Sequence, residues 1–115
     1  MALIDILYED KYIVVLNKSA GLLSVPYPGF SGKTAQDLLC QQRRQRGMVR
    51  GSYRPQAVHR LDKDTSGVII IAKNAQTHEF LSKQFRDKIT RKTYVAIVRG
   101  RLPKKYDIID TYMVR

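Results

Sequence analysis

The densest chemistry in this chain lies in Ala57-Val58-His59-Arg60-Leu61-Asp62-Lys63-Asp64-Thr65-Ser66-Gly67. Two carboxylates, Asp62 and Asp64, stand one residue apart with His59, Arg60 and Lys63 beside them, just before an apolar run. A carboxylate held at the mouth of a strand among cationic neighbours can stay ionised and act as a nucleophile. Two carboxylates at this spacing could also bind Mg²⁺. A plainer reading takes Asp64-Thr65-Ser66-Gly67 as a turn in which Asp64 and Ser66 bond local backbone. That reading leaves His59, Arg60 and Asp62, immediately before the turn, without a role.

These residues need a scaffold, and the pattern of the chain supplies one. Ile4–Tyr8 and Tyr12–Asn17 read as two strands of a hairpin joined by Glu9-Asp10-Lys11, the second rich in β-branched residues. Lys18 to Gly32 carries Pro26, Pro28 and several glycines and reads as a long loop, a common seat of function. Thr34 to Arg46 reads as a helix, with Thr34 as cap, Asp37 in the first turn, Leu38 and Leu39 on the apolar face, and Gly47 as a stop. Met48 to Gln56 reads as an exposed basic loop and Ala57 to Leu61 as a short strand. Val68–Ala72 is an apolar run short enough for a buried central strand. Asn74 can cap a helix to about Asp87, with His78, Leu81 and Phe85 on one face. Thr90 to Val98 alternates like a strand, and Tyr106 to Val114 is strand-like again.

The 115 residues fit one domain, and 43% apolar content suits a globular fold. Mean hydropathy is −0.34, and no stretch approaches the ~18 apolar residues of a membrane span. The N-terminus lacks a basic region followed by an apolar core, so it does not read as a secretory signal, and a cytoplasmic location is expected. Cys40 is the only cysteine, and with two histidines it argues against a Cys/His zinc site. It reads as a small apolar side chain of the first helix.

Charge is the strong global signal: 21 Lys and Arg stand against 10 Asp and Glu, for a net +11. Seven basic residues lie between Lys33 and Arg60, against Asp37 alone, and nine between Lys83 and Lys105, against Asp87 alone. A solvated face is the bland explanation, but two basic tracts in one chain favour a polyanionic partner. Nucleic acid fits better than a membrane surface, because the tracts do not alternate with Trp or Leu.

His59-Arg60-Leu61-Asp62-Lys63-Asp64-Thr65-Ser66-Gly67 resembles the HRLDxxTSG motif of the RluA-type pseudouridine synthases. Leu16-Asn17-Lys18-Ser19-Ala20-Gly21-Leu22-Leu23-Ser24-Val25-Pro26 resembles the family's NKPxG segment, with Ser19 in the place of the usual Pro. Ile69–Asn74 resembles the strand and helix cap that follow, and Lys92–Gly100 the KxYxAxVxG segment. The alternative of a Mg²⁺-dependent phosphoaspartate phosphatase is disfavoured, because Asp62 follows His59-Arg60-Leu61 rather than an apolar run, and Ser66 stands where Thr or Val would be expected.

The resemblance implies an α+β pseudouridine synthase fold, with a mostly antiparallel mixed central sheet flanked by helices and loops. It implies an RNA isomerase acting on uridine in ribosomal or transfer RNA, needing no metal, nucleotide or redox cofactor. Asp62 would be the catalytic carboxylate, attacking sugar C1′ or base C6, and Tyr94 would lie against the uracil and serve proton transfer at C5. Without the motif, Tyr94 reads as a core aromatic. Arg60 would fill the space of the flipped nucleotide or contact phosphate. His59 would support the loop or contact RNA, Lys18 would contact backbone or RNA, and Arg43, Arg44 and Arg46 would hold phosphates. Family members continue well beyond 115 residues and include an arginine that pairs with the aspartate. Residues 1–115 are therefore expected to be the N-terminal part of a catalytic domain, without an S4 domain and with little activity alone. A non-catalytic basic RNA-binding module is the alternative.

Overall fold

The structure, a computed structural model, describes residues 4–30, 32–45 and 55–114. Strands β1 (Asp5–Glu9) and β2 (Ile13–Lys18) form the expected antiparallel hairpin. Asp10 closes its turn by accepting from the N–H groups of Tyr12 (2.7 Å) and Ile13 (2.9 Å). Helix α1 (Ala35–Gln45), the two-residue β3 (Gln56–Ala57), β4 (Gly67–Ala72) and α2 (Ala75–Arg86) follow in order. The sheet order is β1-β2-β4-β3, and each neighbouring pair is antiparallel. The α+β class is thus as expected.

One face of the sheet carries the core. Strand periodicity puts Val14, Leu16 and Lys18 of β2 on the same side, with Ile69 and Ile71 of β4. Helix α1 covers them through Ala35 and Leu39, and Leu61 completes the cluster. The helix starts as a capping box: Asp37 N–H donates to Thr34 Oγ1 (3.2 Å), and Thr34 N–H donates back to Asp37 Oδ2 (3.2 Å). Cys40 is buried in this layer, with Sγ 3.5 Å from the Pro55 carbonyl, as a small core side chain would be.

Arg43, expected to hold phosphate, is buried and paired with Glu9. Glu9 also takes the Lys73 ammonium at 2.9 Å. Burial works to raise the Glu9 carboxyl, but Lys73 and Arg43 outweigh it and hold the group below its ordinary value. Arg43 is therefore an internal tie between α1 and the β1–β2 hairpin, not an RNA contact. Its position on α1 beside Leu39 and Cys40 turns it inward. Arg44 is placed only as a residue of α1, and Arg46, like most of the expected 48–56 loop, lies outside the described residues.

Helix α2 begins as expected, with Asn74 Oδ1 accepting from Thr77 N–H (2.8 Å). Its end carries no glycine, yet it closes in a Schellman pattern. Ile89 N–H reaches the Gln84 carbonyl and Lys88 N–H reaches the Phe85 carbonyl, both at 3.2 Å. Lys88 takes the left-handed position, φ 55°, normally filled by glycine.

The expected strands over Thr90–Val98 and Tyr106–Val114 do not form. Both stretches are irregular and exposed, with Val95 97% and Ile109 90% accessible. A strand needs a ladder partner for its N–H and C=O groups, and none of the described strands pairs with either stretch. No helix among the described residues is long and apolar enough to cross a membrane.

Replacing Lys88 by Gly removes the left-handed strain while keeping the cap bonds. We expect a gain of about 0.5–1 kcal/mol, read from the chemical unfolding midpoint. A loss would mean that the Lys88 side chain matters more than its backbone angle.

Candidate active site

The His59–Ser66 loop connects β3 to β4 and is held by the segment that follows β2. Lys18 sits at the last position of β2, opposite Gly67, the first residue of β4. It is 2% exposed, and its Nζ reaches three carbonyls: Ser19 (2.9 Å), Leu22 (2.5 Å) and Lys63 (2.9 Å). An ammonium has three N–H donors, and each finds one acceptor here. Burial pushes the Lys18 ammonium down from its ordinary value, against the fields of Asp64 and Asp62, which favour its charge. Of the two partners expected for Lys18, backbone and RNA, the structure provides the backbone.

Two further ties act on the same loop. Gly21 N–H donates to the Lys63 carbonyl at 2.8 Å. Ser24, buried in the Gly/Pro loop, donates its Oγ–H to the Leu61 carbonyl (2.8 Å) and accepts from Leu61 N–H (2.9 Å). Leu61 and Lys63 are thus both fixed through their backbones, and Asp62 stands between them with its side chain exposed. The turn that follows is closed by Thr65 N–H to the Asp62 carbonyl (3.1 Å). Gly67 ends the loop at φ +141°, a conformation that disfavours any side chain, and enters β4.

His59 explains why the expected 57–61 strand shortens to Gln56–Ala57. Val58 N–H still donates to the Ile70 carbonyl at 3.4 Å. The reciprocal Ile70 N–H, which a continuing ladder would send to the Val58 carbonyl, goes to His59 Nε2 at 3.0 Å. His59 must therefore be neutral and carry its proton on Nδ1. Burial pushes it below its ordinary value, and the nearby Lys92 charge adds to that. Its ring stacks on Phe85, centroids 4.6 Å apart and 13° from parallel. His59 is half-buried and ties the loop to β4. Arg60 is exposed next to it.

A cleft of about 740 Å³ opens beside the loop. His59, Leu61, Thr65–Val68, Phe85 and the Thr90–Val95 segment line it. Tyr94 is part of that wall and is 60% exposed, so it is not a core aromatic. The structure brings His59 and Tyr94 to one cleft and sets Asp62 on the loop that borders it, outside the lining. No group of three or more His, Cys, Asp or Glu among the described residues could hold a metal ion. Ser24 and Phe85 have roles here that the motif reading missed. The signal for Ser24 was its place within the Leu16–Pro26 segment. Phe85 had been placed only on the apolar face of its helix.

Residues 12–115 match the RNA pseudouridylate synthase family, and the chain belongs to it. It is 42% identical over 114 residues to the ribosomal large subunit pseudouridine synthase D of Borreliella burgdorferi, covering 97% of this chain and 35% of that protein. It is 36% identical over 110 residues to the dual-specificity RNA pseudouridine synthase RluA of Yersinia pestis, covering 95% of this chain and 49% of that one. The solved structure of human RNA pseudouridylate synthase domain containing 4 aligns at TM-score 0.60 and 27% identity, over 74% of this chain and 30% of its own. The chain thus spans about a third to a half of the length of these curated relatives.

Two outcomes follow from this geometry. Lys18→Met leaves three carbonyls without their donor, and urea unfolding should show a loss of about 2–5 kcal/mol. A loss under ~1 kcal/mol would show that the loop does not depend on the ammonium. The second concerns acid. The lowered His59 value means the unfolded chain binds its proton first, so the contribution of His59 is complete above pH ~6.5 and is lost as pH falls through the lowered value. Hydrogen-exchange protection at the Ile70 amide should fall over that acid window. Unchanged protection would count against the His59 bond.

Proposed function

We propose that this chain carries the nucleophile of an RNA uridine-to-pseudouridine isomerase, with Asp62 in that role. The observation that supports it most is the clamp: both backbone neighbours of Asp62 are pinned from the Lys18–Ser24 segment while its carboxylate stays exposed. A nucleophile needs that combination of fixed position and open approach. In the proposed reaction the Asp62 carboxylate attacks C1′ or C6 of a flipped uridine. The N-glycosidic bond breaks, the uracil turns, a C1′–C5 bond forms, and the bond to Asp62 breaks to return its free carboxylate. The C5 proton then leaves and N1 takes one up, so the product is an isomer of the substrate. Tyr94, in the wall of the neighbouring cleft, would lie against the ring and serve the proton step at C5. Arg60, exposed two residues before Asp62, would fill the place the uridine leaves in the stack.

The substrate we propose is ribosomal or transfer RNA with the target uridine in a loop or single strand, where extrusion costs least. Phosphate contacts would come from the exposed basic residues rather than from Arg43 or Lys18, with Arg44 and Arg46 retained as candidates. A cytoplasmic setting fits that substrate.

Tritium release from RNA containing 5-³H-uridine tests this in the protein at its natural length. Asp62→Ala should lower the rate at least ~10³-fold while RNA affinity stays within about twofold. Undiminished release would remove Asp62 from the role. RNA binding without release by the unsubstituted protein on any RNA would leave a binding module.

A further inference from the structure

Phe85 touches both halves of the candidate site. One contact is the near-parallel stack on His59, centroids 4.6 Å apart. The other is the Lys92 ammonium, 5.4 Å from the centroid of the same ring. His59 lies three residues before Asp62 and Lys92 two residues before Tyr94. The ring is therefore a shared plane between the loop that carries the carboxylate and the segment that carries the tyrosine.

The two halves are held very differently. The loop has backbone ties at Leu61 and Lys63 and a side-chain tie from His59 to Ile70. The Thr90–Val98 segment belongs to none of the described strands. It leaves α2 through the Lys88 turn, and Lys92 then sets its charge over a ring of the helix it has just left. Phe85, His59, Lys92 and Tyr94 all line one cleft, so the ring's thickness and tilt bear on its width. A flat aromatic ring offers a stacking surface and a negative face for a cation, and an aliphatic side chain of similar bulk offers neither.

We propose that Phe85 is a positioning residue that fixes the distance between the Asp62 loop and the Tyr94 segment. Its kinetic consequence rests on the isomerase reading above, whereas the placement of the two segments does not.

Both are measurable. Phe85→Leu should shift the backbone amide resonances of Asp62 and Tyr94 together, and Phe85→Tyr should leave both in place. Lys92 is exposed, so Lys92→Met tests the second contact without threatening the fold, and it should shift the Tyr94 resonance alone. In the natural-length protein, Phe85→Leu should lower kcat for tritium release roughly tenfold to a hundredfold with KM within about twofold, and Phe85→Tyr should restore it. A shift confined to one segment in Phe85→Leu, or kcat equal to the unsubstituted protein, overturns the positioning role. Joint movement of both resonances with no turnover in the unsubstituted protein overturns the isomerase reading and leaves the positioning role standing.

Discussion

The ammonium of Lys18 gathers three carbonyls that would otherwise repel one another. Ser19, Leu22 and Lys63 each point a C=O at the same buried spot, and only a donor with three protons answers all of them. Desolvating an ammonium costs several kcal/mol, so the arrangement stands only because all three N–H groups are used and because Asp62 and Asp64 lie near enough to favour the charge. The same interaction is a joint between distant parts of the chain. It binds the end of β2 to the turn after Asp62, 45 residues away, and the Gly21 and Ser24 bonds reinforce the joint on either side of Asp62.

Much of this was readable from residue types, and the failures have physical causes. The hairpin, α1 with its Thr34–Asp37 cap, the β4 run and the Asn74 cap all follow from local rules that act within a few residues. The inward turn of Lys18 was also present in the pattern. Val14, Leu16 and Lys18 share the period-two face of β2, so the residue that looked like a surface cation continues the core side. Arg43 could not be read in this way, because its partner Glu9 lies at the far end of a hairpin 34 residues earlier. The Thr90–Val98 and Tyr106–Val114 stretches show the opposite error. Alternation and β-branched residues describe a willingness to pair, and a strand exists only when another strand accepts the bonds.

The site is accordingly uneven. On one side, Asp62 is fixed by covalent neighbours held through the Leu61 N–H and the Leu61 and Lys63 carbonyls. On the other, Tyr94 rides on an exposed segment linked to the fold through α2, the Lys88 turn and the Lys92–Phe85 contact. His59 mediates between them. It takes the Ile70 N–H that the shortened β3 leaves behind and presents its ring face to Phe85. Substituting a side-chain nitrogen for a backbone carbonyl lets β3 end early, and the ending frees the chain to turn out as the Asp62 loop. The histidine thus serves the aspartate by terminating a strand without leaving an orphaned donor.

Register is what makes these separate pieces meet. Pairing of β2 with β4 runs from Ile13 opposite Ala72 to Lys18 opposite Gly67, so the last residue of one strand faces the first of the other. The segments that flank this end, Ser19–Ser24 and His59–Ser66, are then forced side by side, and their mutual hydrogen bonds follow from that placement. A slip of one residue would turn Val14, Leu16 and Lys18 to the opposite face together and would strand the ammonium away from Lys63. The apolar residues resist that slip through burial, and the lysine resists it through three specific bonds. The core and the loop geometry therefore select the same register, which is how two motifs about 40 residues apart come to form one structural unit.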